Sequence, residues 1–259
     1  MGTLAKFLLL LAALGIALIA LLAAFQTSLL FPRALVGPAP DLPAGTARLE
    51  LTSAGGETLQ GVRIAGRDPA RPVILGFGGN AWNAEAMALF LHQIAPEHDV
   101  VTFHYRGYAP STGRPSAQAL MADAEAIHDL IAAEATGVIA VGFSIGAGIA
   151  AHLAAERALA RVVLVTPFDS LSAVARQIYP FAPVGLLFRH DMNALDALER
   201  SDAGIHLILA RRDEVIPPAR AEALVAALPQ AQVTRLETGH NTIYDHPEFA
   251  PALRAALAR

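Results

Sequence analysis

Apolar residues are distributed along the chain in two regimes. From Phe7 to Phe25 they form an unbroken run, FLLLLAALGIALIALLAAF, without charge or proline. As a helix this run would rise about 28 Å, close to the hydrocarbon thickness of a bilayer. Beyond it, short apolar stretches recur between polar segments. Strands are predicted at Arg48–Thr52, Thr58–Ile64, Val73–Phe77, Val100–Tyr105, Val138–Phe143, Val162–Thr166, His206–Ala210 and Gln232–Glu237. Helical spacing is predicted at Asn83–Ile94, Ser116–Ala133, Ile145–Ala155, Pro218–Ala227 and Pro247–Ala258.

The later strands alternate with helices, and stretches such as VILGF and VVLVT are apolar at every position. Both features suit a mostly parallel sheet covered on its two faces, an open α/β architecture of about eight strands. In such sheets reactive residues collect beyond the carboxyl ends of the strands. The Pro- and Gly-rich stretch Pro32–Gly45 separates the apolar run from the sheet. Two parts are therefore expected, an anchor over residues 1–27 and a single domain over 28–259. A small cap segment is expected at about 168–200.

A mean hydropathy of +0.44 and 54% hydrophobic residues are high for a soluble chain, and the run at Phe7–Phe25 accounts for much of the excess. A cleaved signal peptide is the alternative to an anchor, but no A-x-A-like site lies near Ala24. Lys6, the only lysine, precedes the run and Arg33 follows it, which favours a cytoplasmic N-terminus and an extracytoplasmic domain. Past Lys6 the chain carries 18 Arg against 23 Asp and Glu, without a basic cluster, and nucleic acid is not an expected partner. The absence of cysteine excludes disulfides and thiolate metal sites and leaves the compartment open.

Candidate chemistry centres on Gly142-Phe143-Ser144-Ile145-Gly146, a G-x-S-x-G motif placed between a predicted strand and a predicted helix. A nucleophile elbow turns so sharply that Gly142 and Gly146 are needed where a Cβ would collide. A serine hydroxyl needs a base to take its proton and a carboxylate to orient that base. His240 follows the last strand, and Asp213 follows the strand HLILA, giving the order Ser, Asp, His. Glu214 and Asp169 are the rival acids, Asp169 also being readable as a helix N-cap. For an oxyanion the backbone N–H of Ile145 is one donor. The second comes from the loop Gly76–Asn83, assigned to Asn80 with Ala81 as its alternative, while Asn83 reads as an N-cap.

With Leu29-Leu30-Phe31-Pro32, Gly79-Asn80-Ala81-x-Asn83 and Tyr105-Arg106-Gly107-Tyr108-x-x-Ser111-x-Gly113-x-Pro115-Ser116, these residues make the chain resemble the membrane-anchored group of α/β-hydrolase-domain serine hydrolases. That group includes lysophospholipases, monoacylglycerol-type lipases and acyl-protein thioesterases. The resemblance implies the α/β-hydrolase fold and hydrolysis of an ester or thioester, lipid-derived ones among them, through an acyl-Ser144 intermediate, with no metal or cofactor. A tethered scaffold of the same fold, or an acyltransferase or peptidase with the same triad, would share the pattern. Departures are Gly78, where the group usually has histidine, His104, where aspartate is common, and Ala109 and Ala210 in place of glycines. Loss of the side chain at Gly78 is expected to loosen the oxyanion loop. The Tyr-Arg-Gly-Tyr segment reads as a structural turn.

Overall fold

In the computed structural model, which describes residues 2–258, eight strands form one sheet in the order β1-β2-β4-β3-β5-β6-β7-β8. They are β1 Ala47–Thr52, β2 Thr58–Ile64, β3 Val73–Phe77, β4 Val100–Phe103, β5 Val138–Phe143, β6 Arg161–Val165, β7 Gly204–Ala210 and β8 Gln232–Leu236. All eight predicted strands are present, with no end shifted by more than two residues. Only β2 runs against the rest, pairing antiparallel with β1 and β4, and every pair from β4 to β8 is parallel. Met1 and Arg259, which bound the expected anchor and domain, lie outside the described residues.

Alternation within the central strands divides the core in two. Val138 and Ala140 of β5 face one apolar cluster, and Ile139, Val141 and Phe143 face the other. Helices α3 (Ala117–Ala132), α4 (Ile145–Glu156) and α8 (Pro218–Ala227) cover the first face. Helices α2 (Ala84–Ile94) and α9 (Phe249–Ala258) cover the second. Strands buried on both sides need no polar face, which is why β3 and β5 are apolar throughout.

The expected cap holds three short helices, α5 (Leu171–Ile178), α6 (Val184–Leu187) and α7 (Ala194–Glu199). Its two ends are stitched together where it leaves the sheet. Leu171 N–H donates to Met192 O at 3.1 Å, and Leu195 N–H to Asp169 O at 2.9 Å. The N-cap of α5 is Ser170, whose hydroxyl accepts from Ala173 N–H, and not Asp169. Asp169 instead accepts from Ser170 N–H and from Arg220, so a charged partner draws it away from the capping position.

The apolar run lies in α1, Thr3–Leu30, a helix of 28 residues that would be about 42 Å long. It is long and apolar enough to cross a membrane. It extends past the expected anchor boundary and docks on the cap. Gln26 is buried there, its amide donating to Leu187 O at 3.0 Å and accepting from Arg189 N–H at 2.8 Å.

Candidate active site

Parallel strands bring their carboxyl ends to one edge of the sheet, and the loops that leave β3, β5, β7 and β8 there carry Asn80, Ser144, Asp213 and His240. Ser144 sits between β5 and α4 at φ 52° and ψ −116°, a left-handed conformation that a serine adopts only under constraint from its surroundings. The constraint is visible on both sides. A Cβ at Gly142 would lie 2.7 Å from Ala147 Cα, and one at Gly146 would lie 2.7 Å from Gly78 O. The helix therefore turns directly against the strand it follows, and glycine at both positions is what permits it.

From that turn the Ser144 hydroxyl meets His240 Nε2 at 3.0 Å, and His240 Nδ1 meets Asp213 Oδ2 at 2.7 Å. Asp213 and His240 are both buried in side chain. The other carboxylate oxygen of Asp213 accepts from Val215 N–H at 2.9 Å and Ile216 N–H at 2.7 Å. With both oxygens engaged, the carboxylate holds one orientation. A buried carboxylate at Nδ1 fixes the proton there and leaves Nε2 able to accept the serine proton. Of the two rival acids, Asp169 is paired with Arg220 at 3.1 Å.

Glu214 has a different task. Its Oε2 accepts from His240 N–H at 2.9 Å, and backbone N–H donors, that of His240 foremost, hold its carboxyl below the usual carboxylate value. A Cβ at Gly239 would lie 3.2 Å from Glu214 Cδ, so the histidine loop closes tightly over this carboxylate. Thr242 adds a second tie, its hydroxyl accepting from Gly239 N–H at 3.1 Å. In the sequence, adjacency to Asp213 makes Glu214 a rival triad acid and gives no sign of this role.

Tyr105 and Tyr108 are further residues whose part the sequence did not disclose. Tyr105 OH donates to Gly78 O at 2.7 Å and Tyr108 OH to Asn80 O at 2.8 Å. These bonds fix the peptides on either side of the one that carries the Asn80 N–H. The carbonyl of that middle peptide, Gly79 O, accepts from Trp82 N–H at 3.3 Å. Carbonyl and N–H point oppositely in a trans peptide, so the direction of the Asn80 N–H is set as well. Asn83 caps α2 as read, accepting from Glu85 and Ala86 N–H.

Gly78 has neighbours on both sides. Its carbonyl is tied to Tyr105, and Trp82 and Met87 fill the space beside it, Trp82 Cβ lying 3.2 Å from where a Cβ would stand. Trp82 also packs edge-on against Phe143 at 5.1 Å and Tyr244 at 5.2 Å. The loop after β3, the strand before Ser144 and the segment after His240 thus share one aromatic cluster. His104, another departure, is buried beside α2, its Nε2 3.7 Å from Glu85. Desolvation pushes its pKa down although Glu85 opposes this. Among the described residues no group of three or more His, Cys, Asp or Glu is placed to hold a metal ion.

An eight-stranded, mostly parallel sheet with a serine at a strand-to-helix elbow and acid and base on later loops defines a class, and the comparisons agree. The chain belongs to the alpha/beta hydrolase fold family, whose model matches residues 73–203. It is 32% identical over 230 residues to the uncharacterized protein Rv2307c of Mycobacterium tuberculosis, covering 82% of this chain and 78% of that one. It is 26% identical to the alpha/beta hydrolase domain-containing protein WAV2 of Arabidopsis thaliana, over 80% of this chain and 77% of that one. Among solved structures, the esterase Pf2001 of Pyrococcus furiosus superposes with a TM-score of 0.65 at 17% identity, over 85% of this chain and 98% of that one. A thioesterase domain from the curacin biosynthetic pathway gives 0.62 at 16% identity, over 83% and 100%. At these identities the structural matches speak to the fold alone.

Proposed function

We propose that the protein is a serine hydrolase that cleaves a carboxylic ester or thioester through an acyl-Ser144 intermediate. The observation that carries this reading is the unbroken chain from Ser144 Oγ through His240 to Asp213, at 3.0 and 2.7 Å. In acylation, Ser144 Oγ forms a bond to the substrate carbonyl carbon while His240 Nε2 takes the hydroxyl proton. The tetrahedral intermediate collapses, the bond to the leaving oxygen or sulfur breaks, and His240 returns the proton to that leaving group. Water then repeats the sequence, releasing the acid and restoring Ser144. The Ile145 and Asn80 N–H groups are assigned to the oxyanion, and Asp213 stabilises the imidazolium. Every step uses groups of this chain and water.

We place the domain at a membrane, with α1 as its single span, and assign it to the lysophospholipase and thioesterase-like group. Lys6 before the span and Arg33 after it favour a cytoplasmic N-terminus with the catalytic domain on the opposite side. The docking of α1 on the cap makes the full chain the proper material. In detergent micelles it is expected to hydrolyse p-nitrophenyl esters and to be labelled by a fluorophosphonate at Ser144. Ser144→Ala should lose the label and at least about 10⁴-fold in turnover. Folded parent protein that neither turns over an ester nor takes the label would overturn the reading in favour of a scaffold.

A further inference from the structure

Beside the cap lies an apolar recess of about 370 Å³, one wall of which is the C-terminal part of α1 from Ile19 to Leu30. Ile19, Leu22 and Leu30 line it from the helix, Val174 and Leu187 from the cap, and Val215 from the loop after β7. Its volume falls within the range of sites for small organic ligands, about 300–1,000 Å³. Both walls are fixed to one another. Besides the two bonds of the Gln26 amide, Thr27 Oγ1 lies 2.7 Å from His190 Nε2, and His190 stands edge-on to Phe31 at 5.5 Å.

Three observations say what belongs there. First, a hydrocarbon core of about 30 Å takes about 20 helical residues, which the run from Phe7 to about Gln26 supplies. Ile19 and Leu22 then stand at the depth of lipid tails, and Gln26 to Leu30 at the boundary with water. Second, the cap is apolar where it flanks the recess: Phe181 is 94% and Leu186 81% exposed, with Ile178 and Tyr179 also exposed. An apolar surface of this kind, continuous with a spanning helix, is matched to the acyl boundary of a bilayer and not to water. Third, the recess adjoins the catalytic loop. Val215 lines it, and the Val215 N–H is bonded to Asp213.

We infer that this recess holds the acyl chain of the substrate, and that the anchor helix is thereby one wall of the binding site. The substrate is a long-chain acyl ester or thioester resident in the bilayer, whose chain slips sideways from the adjoining leaflet into the gap between α1 and the cap. This rests on the serine hydrolase reading for its reactive end and on the membrane reading for its source. The recess itself can be tested apart from the first.

Ala175 lines the recess on α5, and Ala175→Trp would fill it. In the full chain, the ratio of kcat/KM for p-nitrophenyl palmitate to that for the butyrate is expected to fall at least tenfold. A ratio unchanged within twofold would overturn the inference. A second measurement needs no turnover. In phospholipid nanodiscs holding the full chain with Ser144→Ala, a palmitic acid bearing a diazirine near its terminal carbon is expected to label the cap segment 174–188. Ala175→Trp should reduce that labelling at least fivefold. Labelling that spares the cap, or that Ala175→Trp leaves unaltered, would overturn the recess as an acyl site. A chain that hydrolyses no ester yet labels as expected would instead overturn the hydrolase reading and leave the recess standing.

Discussion

A carboxylate surrounded by backbone N–H groups acts as a fixed point of negative charge, and Glu214 serves the histidine loop in this way. Because those donors lower its pKa in the folded protein, its stabilising effect is complete above the ordinary carboxylate value of 4.5 and is lost as pH falls through the lower folded value. Glu214→Gln should therefore melt below the parent at pH 7, and the difference should shrink as pH falls below 4.5 and through the lower folded value. A thermal melt of both proteins across this range checks the sign. The tyrosine ties behave differently, since burial raises the pKa of Tyr105 and Tyr108. Both hydroxyls therefore stay protonated, and keep donating, past the ordinary tyrosine value of 10. Tyr108→Phe frees the Asn80 carbonyl and should lower kcat roughly tenfold with little change in KM, the worth of about one hydrogen bond. Steady-state kinetics on one ester would detect this.

At the scale of the element, the elbow is the least tolerant feature. Gly146→Ala would bring a Cβ within 2.6 Å of Phe77 C and 2.7 Å of Gly78 O, both backbone atoms that no rotamer change can move. The expected cost is at least about 1–3 kcal/mol, seen as a lower melting temperature together with a loss of activity. This motif was legible because its residue types are forced by geometry at short range, and the strands were legible because burial on two faces removes polar residues from them. The cap was not. Its helices span eight, four and six residues, too short for apolar periodicity to declare itself, and Pro180 and Pro183 interrupt the stretch. The Tyr-Arg-Gly-Tyr segment was correctly a turn, but its grip on a loop about thirty residues earlier depends on β3 and β4 lying side by side. Glu214 was hidden for the same reason, its partner being 26 residues away.

Across the whole molecule, the decisive junction is that between α1 and the cap. His190 Nδ1 accepts from Ala117 N–H at 3.5 Å, so its Nε2 carries the proton and donates to Thr27. Desolvation, assisted by Arg189, lowers the pKa of this imidazole. The junction is then firm above the ordinary value of 6.5 and weakens as pH falls through the lower folded value. Gln26→Ala would leave Leu187 O and Arg189 N–H without their side-chain partner. Trypsin should then cut after Arg176 and Arg189 several-fold faster, a difference that widens on acidification.

In the membrane-bound hydrolase proposed above, the same junction would determine how the rate depends on the surroundings. A domain on a slack tether can sample substrates over a hemisphere of solution, whereas one whose span is clamped to its cap keeps a single height and tilt over the bilayer. Its turnover would follow the mole fraction of substrate within the host leaflet, not the total amount in suspension. Adding inert phospholipid would dilute it as solvent dilutes an ordinary enzyme, and substrate in separate vesicles would stay beyond its reach until the membranes fuse.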